Sequence, residues 1–362
     1  MYRATLSDIM LSGPERMVFS GDLRANGLDE AVWEVFAAFM GASSKATKPT
    51  VLRVYDGDRL VGAAFVSRCR GYGRALFGSP ALHRPIDLVG LPSYIWLRVG
   101  YCAEVAANPG FVAEGACRDE VVSAMIAHLR RHSFGVMITD RAGNERLHGG
   151  AAAFPYVSDG IVDVAGMGSV GDYVGGHRNI KRKIKEFTNK GGEIDVIRGR
   201  LDEGLTDTVR QCIEATAARS VIHSPFQDTF PEAAAATCRC PSDRMVHFVA
   251  TMGGAVLGYH SFVESGDGLR MLHGAFDRTR RTTHHCYENL IIATVDWALR
   301  QGLKAVYFGP ILNETKRRMM NRAERSALFF HSDQWWMRAV FPLAFRCSRM
   351  QNKALLAFAD VR

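Results

Sequence analysis

Apolar residues form two paired runs along the chain, and each pair encloses a short polar or glycine-rich turn. Residues 51–67 carry apolar runs on both sides of Asp56–Asp58, and residues 246–263 do the same around Gly253 and Gly254. A tight turn of this composition between two apolar runs is a strong signal for a β-hairpin, because aspartate and glycine tolerate the backbone angles that such turns need. The pattern therefore predicts one hairpin in each half of the chain.

Each predicted hairpin is preceded by a helical stretch and followed by a helix and a strand. In these helices apolar residues recur at steps of three and four, as expected for one buried helical face. The order helix, hairpin, strand, helix, strand thus occurs twice, which indicates an internal duplication. The predicted helices are 30–39, 120–132, about 206–219 and 287–301, and the strands after the second and fourth of them are 134–139 and 305–308.

The repeat predicts an α/β protein of two domains related by duplication, each a mixed sheet flanked by helices. A length of 362 residues is in keeping with two domains. The stretch from 164 to 172 contains glycine and serine and has turn character, so we place the boundary there. We expect an N-terminal domain at residues 1–165. A C-terminal domain is expected at 166–362, with an aromatic C-terminal tail.

The composition is that of a globular protein with a positive charge. Hydrophobic residues make up 47% and charged residues 23%, and no apolar run reaches the ~18 residues of a membrane-spanning helix. The start of the chain lacks the features of a secretory leader, so we expect a cytoplasmic protein. The eight cysteines are scattered and are interpreted as reduced thiols, with no metal site. A net charge of +8 favours anionic partners.

The C-terminal half resembles the GNAT superfamily of acetyltransferases in its duplicated form. This branch contains the Fem-type aminoacyl transferases and the BioF2-like acetyltransferases. The resemblance implies two GNAT-like domains, transfer of an activated acyl group, and a helix whose N-terminus receives the donor's pyrophosphate. The segments that carry it are 177–187, 272–277, 296–302 and 306–309, together with Lys316.

The resemblance also locates the donor site at the turn before the helix that starts near Tyr287. In GNAT enzymes this turn contains glycines, but His284 and Cys286 stand at the matching positions here. Glycine lets the backbone approach a phosphate closely, so its loss favours a Fem-like donor, charged tRNA, over acyl-CoA. The arginines of residues 278–281 are interpreted as donor-binding, and the alternative is that they form a solvated basic loop. The side chains expected to bind the donor are Arg278, Arg280, Arg281, His284, His285 and Arg317.

A second basic cluster lies between His177 and Lys190. Ile180, Ile184 and Phe187 fall on one helical face, so the remaining faces project positive charge. We expect this helix to bind RNA or phosphate, and a solvated surface helix is the alternative. The residues proposed for that contact are Arg178, Lys181, Arg182 and Lys185.

Candidate catalytic residues surround the last predicted strand and the donor helix. The resemblance implies that Lys316 faces the reacting ester, where it stabilises either the developing oxyanion or the phosphate or ribose of the donor. Glu314 is the candidate proton acceptor, Asn313 lies in the same turn, and Tyr287 is a candidate acid for the leaving group. His260 and His273 are either bases facing the cleft or ordinary core histidines.

Together these observations predict an acyltransferase that forms a peptide bond on an amine acceptor, with no tightly bound cofactor. The favoured co-substrate is aminoacyl-tRNA, and acyl-CoA is the first alternative. A non-catalytic module that binds RNA or an anionic ligand on a decayed transferase fold is the second. The acceptor is a small-molecule or peptide amine that the sequence does not specify. The aromatic tail at 334–345 suits either packing against protein or a lipid surface.

Overall fold

A computed structural model describes most of the chain. It covers residues 2–8, 30–42, 47–69, 94–97, 111–112, 116–133, 135–155, 158–177, 179–217, 230–277, 285–311, 314–339 and 342.

The first sheet contains eight strands in the described part of the chain. Strands β2 and β3 form the predicted hairpin, and Gly57 in its turn has a positive φ of 59°. The order is β1-β2-β3-β4-β6-β15-β7, with β5 paired to β3. The bounds are β1 Tyr2–Asp8, β2 Thr47–Asp56, β3 Arg59–Cys69, β4 Tyr94–Leu97, β5 Phe111–Val112, β6 Gly135–Arg141, β7 Ala152–Pro155 and β15 Ser326–His331.

The second sheet contains seven strands in the order β14-β8-β13-β12-β11-β10-β9. Strands β10 and β11 form the second predicted hairpin, and Gly253 and Gly254 both have positive φ at its turn. The bounds are β8 Asp159–Asp163, β9 Gly192–Arg198, β10 Met245–Met252, β11 Ala255–Ser265, β12 Gly268–Phe276, β13 Ala305–Pro310 and β14 Arg322–Glu324.

The predicted helices are confirmed within a few residues of their expected ends, and α6 is a helix that the periodicity did not reveal. Among the described residues no helix combines the length and the hydropathy needed to cross a bilayer. The helices are α1 Glu30–Gly41, α2 Arg118–Arg131, α3 Val170–Gly175, α4 Ile180–Asn189, α5 Glu203–Ala217, α6 Phe230–Cys238, α7 Cys286–Arg300 and α8 Glu314–Met319, with a 3₁₀ turn at Glu145–His148.

The two halves repeat the same connection of strands. In the first half β4 pairs antiparallel with β3 and parallel with β6, and α2 connects β4 to β6. In the second half β12 pairs antiparallel with β11 and parallel with β13, and α7 connects them. The fold class is therefore as predicted, a mixed α/β arrangement with duplicated halves.

Two strands cross between the halves. Strand β8, which precedes the predicted boundary, pairs with β13 of the second sheet. Strand β15, which follows it by about 160 residues, pairs with β6 and β7 of the first sheet. A boundary at residue 165 therefore does not divide the chain into two self-contained sheets, and the exact division stays a prediction.

Both faces of the second sheet are covered by helices. Helix α7 contributes more residues than any other element to one core cluster, in which Leu290 and Val295 lie together with Phe248 and Phe262. Helices α5 and α6 cover the other face. Helix α1 joins the halves, because its Trp33 belongs to a core cluster that also contains residues of the second sheet.

Candidate functional site

The parallel strands β12 and β13 separate toward their carboxyl ends. Within these two described strands only Gly268–Arg270 and Ala305–Tyr307 pair with each other. Helix α7 starts shortly after β12 ends, and helix α8 starts shortly after β13 ends. In α/β proteins ligands bind beyond the carboxyl ends of the strands. This edge of the second sheet is the candidate site.

Lys316 lies in the first turn of α8 and is only 8% exposed. Its Nζ donates a hydrogen bond to the backbone carbonyl of Phe308, near the end of β13. Helix α8 begins four positions after β13 ends, and its lysine reaches back over the strand end. A cationic group is therefore fixed where the two strands have separated.

Glu314 is held by the arginines that follow it in the same helix. Its Oε1 accepts from both Arg317 Nη2 and Arg318 Nε at 2.8 Å, and its Oε2 accepts from Arg317 Nε at 2.8 Å. These hydrogen bonds, from Arg317 first and Arg318 second, lower the pKa of Glu314 to about 2. A carboxylate of such low pKa is a weak base at neutral pH, so this geometry disfavours Glu314 as proton acceptor.

His260 is fully buried inside a group of aromatic rings on the α7 face of the second sheet. Its ring centroid lies 5.8 Å from that of Tyr287 and 6.2 Å from that of Phe308. It sits opposite Gly274 of β12 in the antiparallel register. A Cβ at Gly274 would come within 2.7 Å of the His260 ring, so glycine makes room for it.

His273 points to the opposite face of the sheet. Its Nε2 and the Thr237 Oγ1 are 2.7 Å apart, and its Nδ1 lies 3.0 Å from the Tyr259 hydroxyl. Burial lowers the pKa of His273 to about 3, with a smaller contribution from His247. The structure does not bring this residue together with Lys316 and Tyr287, and its surroundings are those of a bonded core histidine.

The start of α7 is bonded to helix α4 through two pairs of polar side chains. His285 Nε2 lies 2.8 Å from Glu186 Oε2, and Lys183 Nζ donates to Glu288 Oε1 at 2.6 Å. The hydrogen bond to His285, followed by contacts with Arg182, lowers the pKa of Glu186. His285 has a left-handed φ of 54°, uncommon for a residue with a side chain. The predicted donor end of α7 and the predicted basic helix are thus one structural unit.

Helix α4 buries the apolar face that the sequence predicts. Ile180 and Phe187 are 3% exposed, whereas Lys181 and Lys185 point to solvent. Arg182 is exposed as well and donates to Glu186 at 2.6 Å. The helix therefore presents a cationic surface next to the start of α7.

Several predicted site residues lie outside the described residues, so their positions stay predictions. In the described part of the chain, no group of three ligand-type side chains is placed to hold a metal ion. The predicted site residues that lie outside the described part of the chain are Asn313, Arg178, Arg278, Arg280, Arg281 and His284.

Sequence reasoning missed Tyr173, which lies on α3 close to this site. Its hydroxyl donates to the Met319 carbonyl at 2.5 Å, and its own ring contacts His177. Burial first, and the nearby Tyr287 second, raise the pKa of Tyr173 well above its usual value. It also missed Glu186 and Glu288 as partners of the basic helix. No local pattern signals the hydrogen bonds of Tyr173, Glu186 and Glu288 to Met319, His285 and Lys183, because each joins residues about 100 or more positions apart.

The family comparison covers the region that carries this site. Residues 176–317 match the family model described as the acetyltransferase (GNAT) domain. Residues 176–317 thus form a domain of the GNAT type. This confirms the resemblance drawn from the sequence. No curated protein matches the chain.

Solved structures share the GNAT fold over both halves. L-PGS from Bacillus licheniformis is 11% identical, with a TM-score of 0.55 and coverage of 92% of this chain and 95% of that chain. FemX is 10% identical, with a TM-score of 0.55 and coverage of 94% and 100%. A conserved protein of unknown function from Bacteroides thetaiotaomicron is 9% identical, with a TM-score of 0.51 and coverage of 91% and 99%. Family and fold together support an acyltransferase.

Proposed function

We propose that this GNAT protein transfers an aminoacyl group from a charged tRNA to an amine acceptor. The observation that carries the proposal is the attachment of the basic helix α4 to the start of α7. Through the Lys183–Glu288 and His285–Glu186 pairs, the exposed Lys181 and Lys185 lie beside the expected donor end. A cationic surface at that place suits the phosphates of an RNA.

The same contacts weigh against coenzyme A as the donor. A pyrophosphate at a helix N-terminus relies on free backbone N–H groups and the positive end of the helix dipole. Here Glu288 lies in the first turn of α7, and Glu186 bonds to the preceding His285. These two carboxylates balance the positive charge of Lys183 and Arg182 beside the helix start, so less of that charge is left to bind a pyrophosphate. A tRNA donor has no pyrophosphate that must bind at the start of α7, because its backbone phosphates would contact the exposed surface of α4.

Lys316 is the residue that we assign to the chemistry. When an amine attacks the ester carbonyl, negative charge develops on the carbonyl oxygen, and a fixed cation nearby lowers the barrier. Its buried position, and the hydrogen bond to the Phe308 carbonyl, hold the ammonium group in advance of the reaction. Tyr287, in the first turn of α7, is assigned to protonate the leaving ribose oxygen as the ester C–O bond breaks, and the proton lost by the attacking amine then restores the tyrosine.

A donor assay tests the proposal. The protein is incubated with a mixture of charged tRNAs or with a set of acyl-CoAs, each with and without ribonuclease, in the presence of candidate amines. We expect consumption of charged tRNA that ribonuclease abolishes. Consumption of acyl-CoA alone, unaffected by ribonuclease, would identify the coenzyme A-dependent alternative and overturn the choice of donor.

Variants at Lys316 separate an enzyme from a binding module. Lys316→Ala is expected to lower the single-turnover rate at least about a hundredfold while donor affinity changes little. Lys304→Ala is the matched control, because Lys304 is exposed at the opposite end of β13 and pairs with Asp267. If Lys316→Ala lowered affinity alone and no turnover were found with either protein, the chain would be a binding protein.

A further inference from the structure

The segment after β15 and the end of helix α2 form one surface. His331 at the end of β15 is paired with Val136, so the chain leaves the sheet beside the turn between α2 and β6. Asp333 then accepts hydrogen bonds from Arg130 of α2, one of them 3.0 Å long. Arg338 Nε donates to the Ser332 carbonyl at 2.6 Å. These bonds fix residues 332–338 against the helix end.

This surface carries an exposed tryptophan among cationic side chains. Trp335 is 79% exposed, whereas the other exposed large hydrophobic residues of the described chain, Leu6 and Val196, reach 37% and 40%. Arg130 and Asp333 neutralise each other, and the exposed Arg131 and Arg338 leave the surface positively charged. We call Arg131, Trp335 and Arg338 the basic-aromatic patch.

We propose that the basic-aromatic patch docks the protein on an anionic lipid bilayer, with the Trp335 ring at the boundary between headgroups and acyl chains. An indole ring has an apolar body and a polar N–H, which suits that boundary, and arginines attract anionic headgroups. A protein partner is less suitable, because a stable protein interface buries roughly 800 Å² on each side and the patch offers one large apolar side chain. The proposal concerns location and does not depend on the identity of the donor.

Co-sedimentation with vesicles tests this docking. The full chain is mixed with vesicles of phosphatidylcholine alone or of phosphatidylcholine and phosphatidylglycerol in equal parts. We expect binding to the anionic vesicles only, weakened by added salt. Trp335→Ala is expected to weaken it about tenfold or more, which corresponds to the transfer of a large apolar side chain. Arg131→Glu is expected to weaken it as well.

Two control variants change exposed residues that lie outside the basic-aromatic patch. Val196→Ala on β9 and Lys304→Ala beside β13 are expected to bind vesicles as the original protein does. Thermal melts check that every variant is folded. The proposal would be contradicted if the protein bound neutral vesicles as well as anionic ones, or if Trp335→Ala bound anionic vesicles as well as the original protein. Sedimentation velocity tests whether the patch instead binds a second copy of the chain. If Trp335→Ala converted a dimer to a monomer, the lipid-docking proposal would also be overturned.

Discussion

His148 and His331, 183 positions apart in the chain, bond to each other inside the first half of the protein. His148 Nδ1 lies 3.1 Å from His331 Nε2, and His148 Nε2 lies 3.1 Å from Asp140 Oδ2. All three residues are at most 3% exposed, and the Phe329 ring stacks on His148. Because His331 ends the crossing strand β15, this chain of bonds attaches a strand from the end of the sequence to the first sheet.

Removal of one member of this chain leaves buried polar atoms without their bonds. We expect His331→Ala to lower the free energy of unfolding by about 1–3 kcal/mol, because the desolvated Nδ1 of His148 loses its partner. Urea unfolding followed by circular dichroism measures the change. Asp333→Ala is the control, since it removes an exposed ion pair and is expected to cost less than about 1 kcal/mol. Equal effects of the two variants would show that the buried bonds add nothing.

Buried neutral histidines predict that acid destabilises the fold. Burial lowers the pKa of His247 to about 4, and burial and a neighbouring histidine lower those of His273 and His331 to about 3. In the unfolded chain a histidine has a pKa of about 6.5. Below that pH the unfolded state binds more protons than the folded state, so stability falls as the pH drops from about 6.5 toward about 3.

The size of this pH effect is measurable. Each of the three histidines contributes up to about 1.4 kcal/mol per pH unit in that window. Urea midpoints taken between about pH 7.5 and pH 5 are expected to decline, and His247→Gln is expected to reduce the slope. Gln211→Ala, at an exposed position without a titratable group, is the control and is expected to keep the slope. A midpoint that does not change with pH would refute the prediction.

The sequence predicts the local parts of this fold better than their assembly. The turns at Gly57 and Gly253 and the periodic helices depend on neighbouring residues, so their patterns are visible in the chain. Strand β15 is a short, fully buried apolar run, and nothing in it specifies the sheet that it joins. The site shows the same limit. The basic face of α4 is readable from spacing, but Glu186 and Glu288 become its partners only through distant contacts.

Gly274 is predicted to be sensitive to the addition of one methyl group. A Cβ there would lie 2.5 Å from Met271 Cε, 2.7 Å from the His260 ring and 3.0 Å from the Tyr259 carbonyl. We expect Gly274→Ala to lower the free energy of unfolding by about 1–3 kcal/mol through overpacking, and to slow turnover by displacing His260 and its aromatic neighbours. Gly175→Ala is the matched control, because no atom lies within 4 Å of its added Cβ. Denaturant midpoints that match for the two variants would contradict the prediction.

The Lys183–Glu288 pair is predicted to position the basic helix for the donor. The two side chains are 26% and 11% exposed, so Glu288→Gln leaves a half-buried cation with a weaker partner. We expect a loss of about 1–2 kcal/mol in unfolding free energy and a drop in affinity for charged tRNA, because α4 is then less firmly held against α7.

The charge-swapped protein Lys183→Glu, Glu288→Lys separates this positioning role from the loss of a charge. It keeps the net charge and the pairing, so it is expected to recover part of both stability and tRNA affinity. Arg200→Ala is the control for an exposed pair, since Arg200 contacts Glu203 away from α4. If Glu288→Gln lowered stability but left tRNA affinity at its original value, the pair would only stabilise the fold. The exposed lysines of α4 would then bind RNA without this support.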